Sequence, residues 1–230
     1  MGSALLLGLV AQSSLLFAGL LPYAVRVPAL VSGILAGLGA GALISAIAFD
    51  LLPEADVLND FEVALWALAG AAIFLIGDRV VERKFGDEGA GGAMGIVVGS
   101  VVDGVPESLI LGIQVAAGTP ISVAFVLAIM ISNVPQAVAP SADLRTAGWS
   151  VARVARLWVL VVGACGLAAA VGFLVSDLGG VDGSRFAAIA IGGLLAMLTD
   201  SLQPFAFERG RDWAGVATVV GFFGALALPS

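Results

Sequence analysis

Long apolar runs separated by short polar loops dominate the sequence. Each run approaches the roughly 20 residues that a helix needs to cross the hydrocarbon core of a bilayer. The eight runs lie at 3–21, 29–52, 62–78, 94–117, 121–139, 156–175, 185–203 and 212–228. They are unbroken rather than alternating, which favours helices over the strands of a barrel. The pattern predicts an all-α polytopic membrane protein with eight transmembrane helices, forming a single transmembrane domain over residues 1–230.

Composition supports the same class. The chain is 60% hydrophobic and only 12% charged, which is too apolar for a soluble domain, so we expect the lipid bilayer to surround it. Its 31 glycines suit helices that pack closely in lipid, as in the stripe Gly33, Gly37 and Gly41. Such stripes also permit a homodimer. The net charge of −7 argues against a nucleic-acid partner, and the absence of histidine argues against an enzyme based on that residue.

The basic residues predict the orientation, because cytoplasmic loops collect Lys and Arg. All ten basic residues except Arg185 lie near odd-numbered loops. Both termini are therefore expected outside the cytoplasm, in a multi-pass protein of the cell membrane. The first run has no basic residue ahead of it, which favours a retained helix over a cleaved signal peptide.

Two acids stand near the middle of the fourth run. Asp103 and Glu107 are four residues apart and fall on one side of a helix. Pro106 between them removes one backbone donor and frees a carbonyl of the preceding turn. Acids buried in a membrane span are costly and usually mark an ion path. A protonated or hydrogen-bonded pair that holds a kinked helix is the structural alternative.

A related pattern recurs in three further runs, each with a polar residue followed three or four positions later by proline. The four segments are Asp50-Leu-Leu-Pro53-Glu54, Asp103-Gly-Val-Pro106-Glu107, Ser132-Asn133-Val-Pro135-Gln136 and Asp200-Ser-Leu-Gln203-Pro204. Asp50, Glu54 and Asp200 also fit solvated helix ends. The polar residues of the fifth run also fit hydrogen bonds between neighbouring helices.

The segments Asp-Gly-Val-Pro-Glu-Ser and Ser-Asn-Val-Pro-Gln-Ala resemble the paired His-Asn-x-Pro-Glu-Gly signatures of the ZIP (Zrt/Irt-like) divalent-metal transporters. Asp-Leu-Leu-Pro-Glu-Ala is similar to the second-helix motif of that family. The resemblance covers the whole chain, since eight spans with external termini match the family plan. It implies a ZIP-like bundle that moves a divalent cation of the Zn/Fe/Mn class by alternating access, through a site between helices 4 and 5.

Carried over position by position, the resemblance implies metal ligands and a pathway. The ligands are Asp103, Glu107, Gln136, Asn133 and Ser132, and the pathway residues are Asp50, Glu54 and Asp200. The metal ion is the substrate, and no prosthetic group is expected. With oxygen ligands alone, the site suits Mn²⁺, Fe²⁺, Mg²⁺ or Ca²⁺ better relative to Zn²⁺ than a histidine site would, although carboxylates bind zinc too.

Three departures from the family pattern bear on the site. Gly104 offers no ligand, Gln136 is neutral where glutamate is usual, and Phe205 follows Pro204 where an acid would be looked for. They favour a single ion over a two-metal centre. They also leave open a ZIP-like protein that has lost transport and acts as a membrane sensor or structural partner.

Overall fold

The computed structural model describes residues 1–55, 58–85, 93–178 and 183–228. That part of the chain contains nine α-helices and no strand, which confirms the predicted all-α class. The helices are α1 Gly2–Ala24, α2 Ala29–Ala46, α3 Asp60–Phe85, α4 Ala93–Ala117, α5 Val123–Thr146, α6 Val151–Leu178, α7 Gly183–Met197, α8 Gln203–Gly210 and α9 Asp212–Leu226.

Two of the spans continue through a widened turn. The helix of α2 passes into the π-helical turn Ile47–Leu51, and α7 passes into the π-helical turn Leu198–Leu202 before α8 begins. Both turns come just before a proline, Pro53 or Pro204. Proline lacks the N–H that would close a regular α-helical turn, which accounts for irregular hydrogen bonding at these two places.

Within the described residues, seven stretches are long and apolar enough to cross a membrane. They are Gly2–Ala24, Ala29–Leu51, Asp60–Val81, Gly99–Ala117, Val123–Thr146, Val151–Ser176 and Ser184–Gly210. The eighth predicted span, 212–228, corresponds to α9, an apolar helix of 15 residues. At 1.5 Å per residue this helix is only about 22 Å long, which is shorter than a typical hydrocarbon core.

The surface of the bundle is what a multi-pass membrane protein requires. Large apolar side chains such as Leu6, Phe17, Leu68, Leu160 and Phe223 are all more than 60% exposed. A soluble monomer rarely exposes so much contiguous apolar surface, whereas lipid solvates it without cost. The chain is therefore an integral membrane protein.

Three helices extend several residues beyond the apolar runs that predicted them. One is α3, which continues from the run 62–78 to Phe85, and the others are α5 and α6. The runs 121–139 and 156–175 belong to α5 and α6, which extend to Thr146 and begin at Val151. The intervening turn includes Gly148, whose φ of +84° suits glycine. Hydropathy marks the part of a helix that lies in lipid, but polar residues continue the same backbone hydrogen bonding into water. The predicted boundaries were therefore too narrow.

The helices pack in two groups. In one group α1 contacts α4, α5 and α6, and α4 packs along α6; in the other, α2 packs on α8 and α9, and α3 packs on α7. The two groups meet where α2 contacts α5 and where α4 contacts α7. Helices α4 and α5 scarcely touch each other, whereas α1 lies against both. A site between α4 and α5 therefore lies next to α1.

The predicted glycine stripe on α2 is a packing surface. A Cβ atom built on Gly37 would lie 2.7 Å from the Ala214 carbonyl oxygen of α9, and one built on Gly33 would meet the backbone of Gly210. On another side of the same helix, a Cβ on Gly39 would lie 2.7 Å from Cα of Ser132. The backbones of α2 and α5 thus come close at the polar segment of α5.

Candidate cation site

Glu107 lies in the interior of the bundle, on α4. Its side chain is only 1% exposed, and Asp103 lies one helical turn earlier and is half-buried. The helix continues through Pro106, whose ring faces Gly193 of α7. Because Pro106 has no N–H, the carbonyl of Val102 lacks its usual helical donor. Val102 and Pro106 both line the apolar cavity described below.

One oxygen of the Glu107 carboxylate is paired and the other is not. Gln12 of α1 donates its Nε2–H to Oε2 of Glu107 at 3.0 Å. Oε1 is fully buried and has no hydrogen-bond partner among the residues that the structure describes. A buried carboxylate oxygen without a partner is energetically expensive, and either a proton or a bound cation relieves that cost.

A chain of amide hydrogen bonds connects Glu107 to α5. Asn133 donates through Nδ2 to Oε1 of Gln12 at 2.9 Å and to Oγ of Ser14 at 3.1 Å. Gln12 and Asn133 are both buried. The predicted ligands Glu107 and Asn133 are therefore linked through a residue of α1 that the sequence reasoning missed.

The sequence did contain a signal for Gln12. It begins the segment Gln12-Ser13-Ser14, which interrupts an otherwise apolar run. Gln12 does not share the pattern of a polar residue followed by proline, because no proline follows it within four positions. A polar side chain in the middle of a membrane span is itself grounds for suspecting a functional role.

The structure explains why position 104 carries no ligand. A Cβ atom on Gly104 would lie 2.6 Å from Sγ of Cys165 on α6 and 3.6 Å from the side-chain amide of Gln12. A larger residue would clash with α6 and crowd Gln12. Gly104 is therefore a packing position between α4, α6 and α1.

Ser132 and Gln136 make contacts elsewhere. The Ser132 hydroxyl donates to the Ile129 carbonyl within α5 at 2.9 Å, and its backbone lies against Gly39 of α2. Gln136 is half-buried, and its Nε2 lies 3.9 Å from the sulfur of Met197 at the end of α7. The structure records no hydrogen bond from either side chain to Asp103 or Glu107 in the described part of the chain.

Asp103 lies in an acidic environment that extends towards one end of the bundle. It is within electrostatic range of Glu107 and of Asp78 on α3. Asp78 lines a pocket of about 430 Å³ together with Arg79, Val81 and Asp200. Asp200 forms an ion pair with Arg79 at 3.2 Å. The acidic side chains of Asp200, Asp78 and Asp103 thus lie between this pocket and the buried Glu107.

The other pathway candidates lie on α2 and the turns that follow it. Asp50 is in the π-helical turn after α2 and accepts a 2.6 Å hydrogen bond from the Ser122 hydroxyl, which also caps the start of α5. The structure does not describe the side chain of Glu54. Asp50 and Asp200 lie in two separate turns of the same type. Each turn is π-helical, and such turns are frequent at functional sites.

The polar groups around Asp103 and Glu107 are mainly oxygens, and the buried Cys165 thiol of α6 also lies within electrostatic range of both acids. Among the described residues there is no group of three or more His, Cys, Asp and Glu side chains placed to hold a metal ion. Two carboxylates, with amide and hydroxyl oxygens nearby, are the candidate oxygen donors around Asp103 and Glu107. Hard oxygen donors suit divalent cations that accept carboxylate and carbonyl ligands.

A second cavity borders the other side of Pro106. It has a volume of about 550 Å³, lies between α3, α4, α6 and α7, and is lined only by apolar residues such as Phe74, Leu109 and Phe186. Such a lining offers no ligand to an ion, so the polar environment of Asp103 and Glu107 is confined to the opposite side.

No protein-family model matches this chain, and no curated protein matches it. The resemblance to the ZIP transporters therefore depends on the proline-containing segments of the second, fourth and fifth runs and on the predicted plan of eight spans.

Proposed function

We propose that this protein carries a divalent metal cation of the Zn/Fe/Mn class across the membrane by alternating access, as a histidine-free relative of the ZIP transporters. The observation that supports this most directly is the buried Glu107 carboxylate, whose Oε1 has no hydrogen-bond partner in the described part of the bundle. A membrane protein keeps such a group at considerable cost, which is reasonable when the group binds a cargo cation.

Charge balance favours a dication. When both are ionised, Asp103 and Glu107 bring two negative charges to one side of α4, and one divalent ion neutralises both. Asn133 is linked to Glu107 through Gln12 and can offer its carbonyl oxygen, and water completes the coordination. Ser132 and Gln136 lie on the same helix as Asn133 and join this set only if α5 rotates or shifts.

The test is a metal competition assay with the purified protein in lipid vesicles. We expect protein-dependent, saturable accumulation of at least one of Mn²⁺, Fe²⁺ and Zn²⁺. The remaining two of these ions, together with Co²⁺ and Mg²⁺, are then tested as competitors. Vesicles without protein are the control. Failure to accumulate any of the three ions above that control contradicts transport.

A sensor or structural role is the second candidate. It is favoured by the contact of Gln136 with the sulfur of Met197. This contact turns the side chain of Gln136 towards an apolar residue and not towards Asp103 and Glu107. This alternative predicts that vesicles accumulate no divalent ion. A titration of the purified protein should show ion binding for a sensor and no Asp103-dependent binding of any divalent ion for a structural protein. Binding together with accumulation contradicts it.

The proposal includes an orientation with both termini on the extracytoplasmic side of the cell membrane. It is supported by the basic residues, all of which except Arg185 lie near odd-numbered loops. A reporter that is active only outside the cytoplasm, fused to the C-terminus, should be active. A reporter that fluoresces only in the cytoplasm should be dark at the same position, and the reverse pair of results contradicts the orientation.

A further inference from the structure

Gln12 is fully buried between α4 and α5, and it is the residue through which Glu107 and Asn133 are joined. We propose that Gln12 determines ion selectivity by holding Glu107 so that the cation binds through Oε1 alone. This inference rests on the proposed function of the site. It assigns a role to a helix that carries none of the proline-containing segments.

The first step is the orientation of the two amides. An ionised carboxylate only accepts hydrogen bonds, so the group of Gln12 that faces Glu107 must be its NH₂. The carbonyl of Gln12 then faces α5 and accepts a hydrogen bond from Asn133. The second N–H of Asn133 is donated to Ser14. Both donors of Asn133 are thus occupied, and the atom that it can offer to a cation is Oδ1.

The second step concerns the two oxygens of Glu107. Oε2 already accepts from Gln12, and the partial positive charge of that N–H group opposes a cation on the same side. Oε1 has no partner among the described residues. A cation therefore meets one available oxygen, and Glu107 binds it in a monodentate manner.

The third step is the consequence for selectivity. Ca²⁺ is a large ion that takes roughly 6–8 oxygen ligands and readily accepts both oxygens of a carboxylate. Smaller divalent ions such as Mn²⁺ and Mg²⁺ favour octahedral sites with fewer ligands. Restricting Glu107 to one oxygen lowers the number of ligands that the site can offer. The geometry therefore disfavours Ca²⁺ relative to Mn²⁺.

The packing around Gln12 keeps the amide in place. The Gln12 side chain packs against Gly104. A Cβ atom built on Gly104 would lie 3.6 Å from Nε2 and 3.6 Å from Oε1 of Gln12. A weaker contact of 3.5 Å joins Nε2 to the Ser108 hydroxyl. With helices α1, α4 and α5 contributing partners, Gln12 is unable to turn away from Glu107 without breaking several hydrogen bonds.

The experiment measures binding of Mn²⁺ and of Ca²⁺, each added alone, to the full-length protein in lipid nanodiscs. In Gln12→Met, which keeps the length of the side chain but removes the amide, we expect Mn²⁺ affinity to fall roughly 10–100-fold. Ca²⁺ affinity should not fall, because Glu107 can now bind with both oxygens. In the presence of Ca²⁺, infrared difference spectra should show carboxylate stretches typical of bidentate coordination of Glu107 in Gln12→Met and of monodentate coordination in the unmodified protein.

Gln114→Met is the matched control, since Gln114 is the other glutamine of the described residues that is almost fully buried. It should keep the Mn²⁺ preference of the unmodified protein. Gln12→Asn retains an amide but is one methylene shorter and withdraws from Glu107, so it should lose the preference as Gln12→Met does. An equal loss of both ions in the Gln12 variants, or the same loss in Gln114→Met, overturns the inference.

The result for Glu107→Gln separates the two proposals. If this variant still binds Mn²⁺ as tightly as the unmodified protein, the cation site itself is wrong and the role of Gln12 is overturned with it. If Glu107→Gln abolishes Mn²⁺ binding while Gln12→Met leaves the ratio of Mn²⁺ to Ca²⁺ affinity unchanged, the proposed site stands and only the role of Gln12 is overturned.

Discussion

Vesicles containing the Glu107→Gln variant are expected to accumulate metal at least roughly 100-fold more slowly than those containing the unmodified protein. Loss of a residue that only supports a metal ligand typically lowers affinity or activity by about 10–100-fold. Because Glu107 is proposed as a ligand itself, its loss should cost at least the upper end of that range. Glutamine keeps the shape and the acceptor for Gln12 but removes the negative charge that balances the cation. Asp103→Asn, one turn earlier, should lower uptake in the same direction.

The stability of the variant distinguishes a functional loss from a folding defect. Glu107 carries a fully buried oxygen with no partner, so neutralising the side chain removes a cost rather than an interaction. Thermal unfolding in detergent should therefore give a midpoint equal to or above that of the unmodified protein. The exposed Glu208 of α8 provides the matched control, and Glu208→Gln should transport normally. Unchanged uptake in both Glu107→Gln and Asp103→Asn would rule out the proposed cation site.

Replacing Gly39 by leucine is expected to destabilise the protein by about 3 kcal/mol. The reason is the close approach of α2 and α5. A Cβ on Gly39 would lie 2.7, 2.8 and 2.9 Å from Cα, N and Cβ of Ser132, so the backbone of α5 would have to move. Denaturant unfolding followed by circular dichroism in detergent measures the change in the free energy of unfolding.

Gly163 offers a matched control for that substitution. It lies inside α6, and a Cβ built there has nothing within 4 Å apart from its own helix and chain neighbours. Gly163→Leu should be neutral or stabilising by about 0.5–1 kcal/mol, because leucine loses less conformational entropy than glycine in a helix. Similar destabilisation in both variants would mean that the loss comes from leucine in a helix and that the contact of α2 with α5 is not responsible.

Most of the fold could be predicted from hydropathy. Seven of the apolar runs correspond to stretches long enough to cross a membrane, because in lipid a helix satisfies its own backbone hydrogen bonds and needs no partner. The ends of α5 and α6 could not be predicted in this way. Residues such as Asp143 and Arg153 are polar but still helical, and hydropathy does not separate a polar helix end from a loop.

The candidate site was predictable in part. Asp103 and Glu107 stood out because acids are rare and costly in membrane spans. Asn133 was identified through its motif, and the structure links it to Glu107 through Gln12. Neighbouring positions in the same segment point in different directions along a helix, so Ser132 faces α2 and Gln136 contacts Met197. Which neighbour each side chain meets depends on helix packing.

The sequence by itself determined that this chain is a multi-pass helical membrane protein with acids buried in its fourth span, since burial of backbone and charge in lipid is governed by local composition. Only the tertiary structure decided that α1 lies against both α4 and α5 and brings Gln12 to Glu107. Glu107 and Gln12 are 95 residues apart in the chain. Their contact depends on how whole helices pack, which no local pattern specifies.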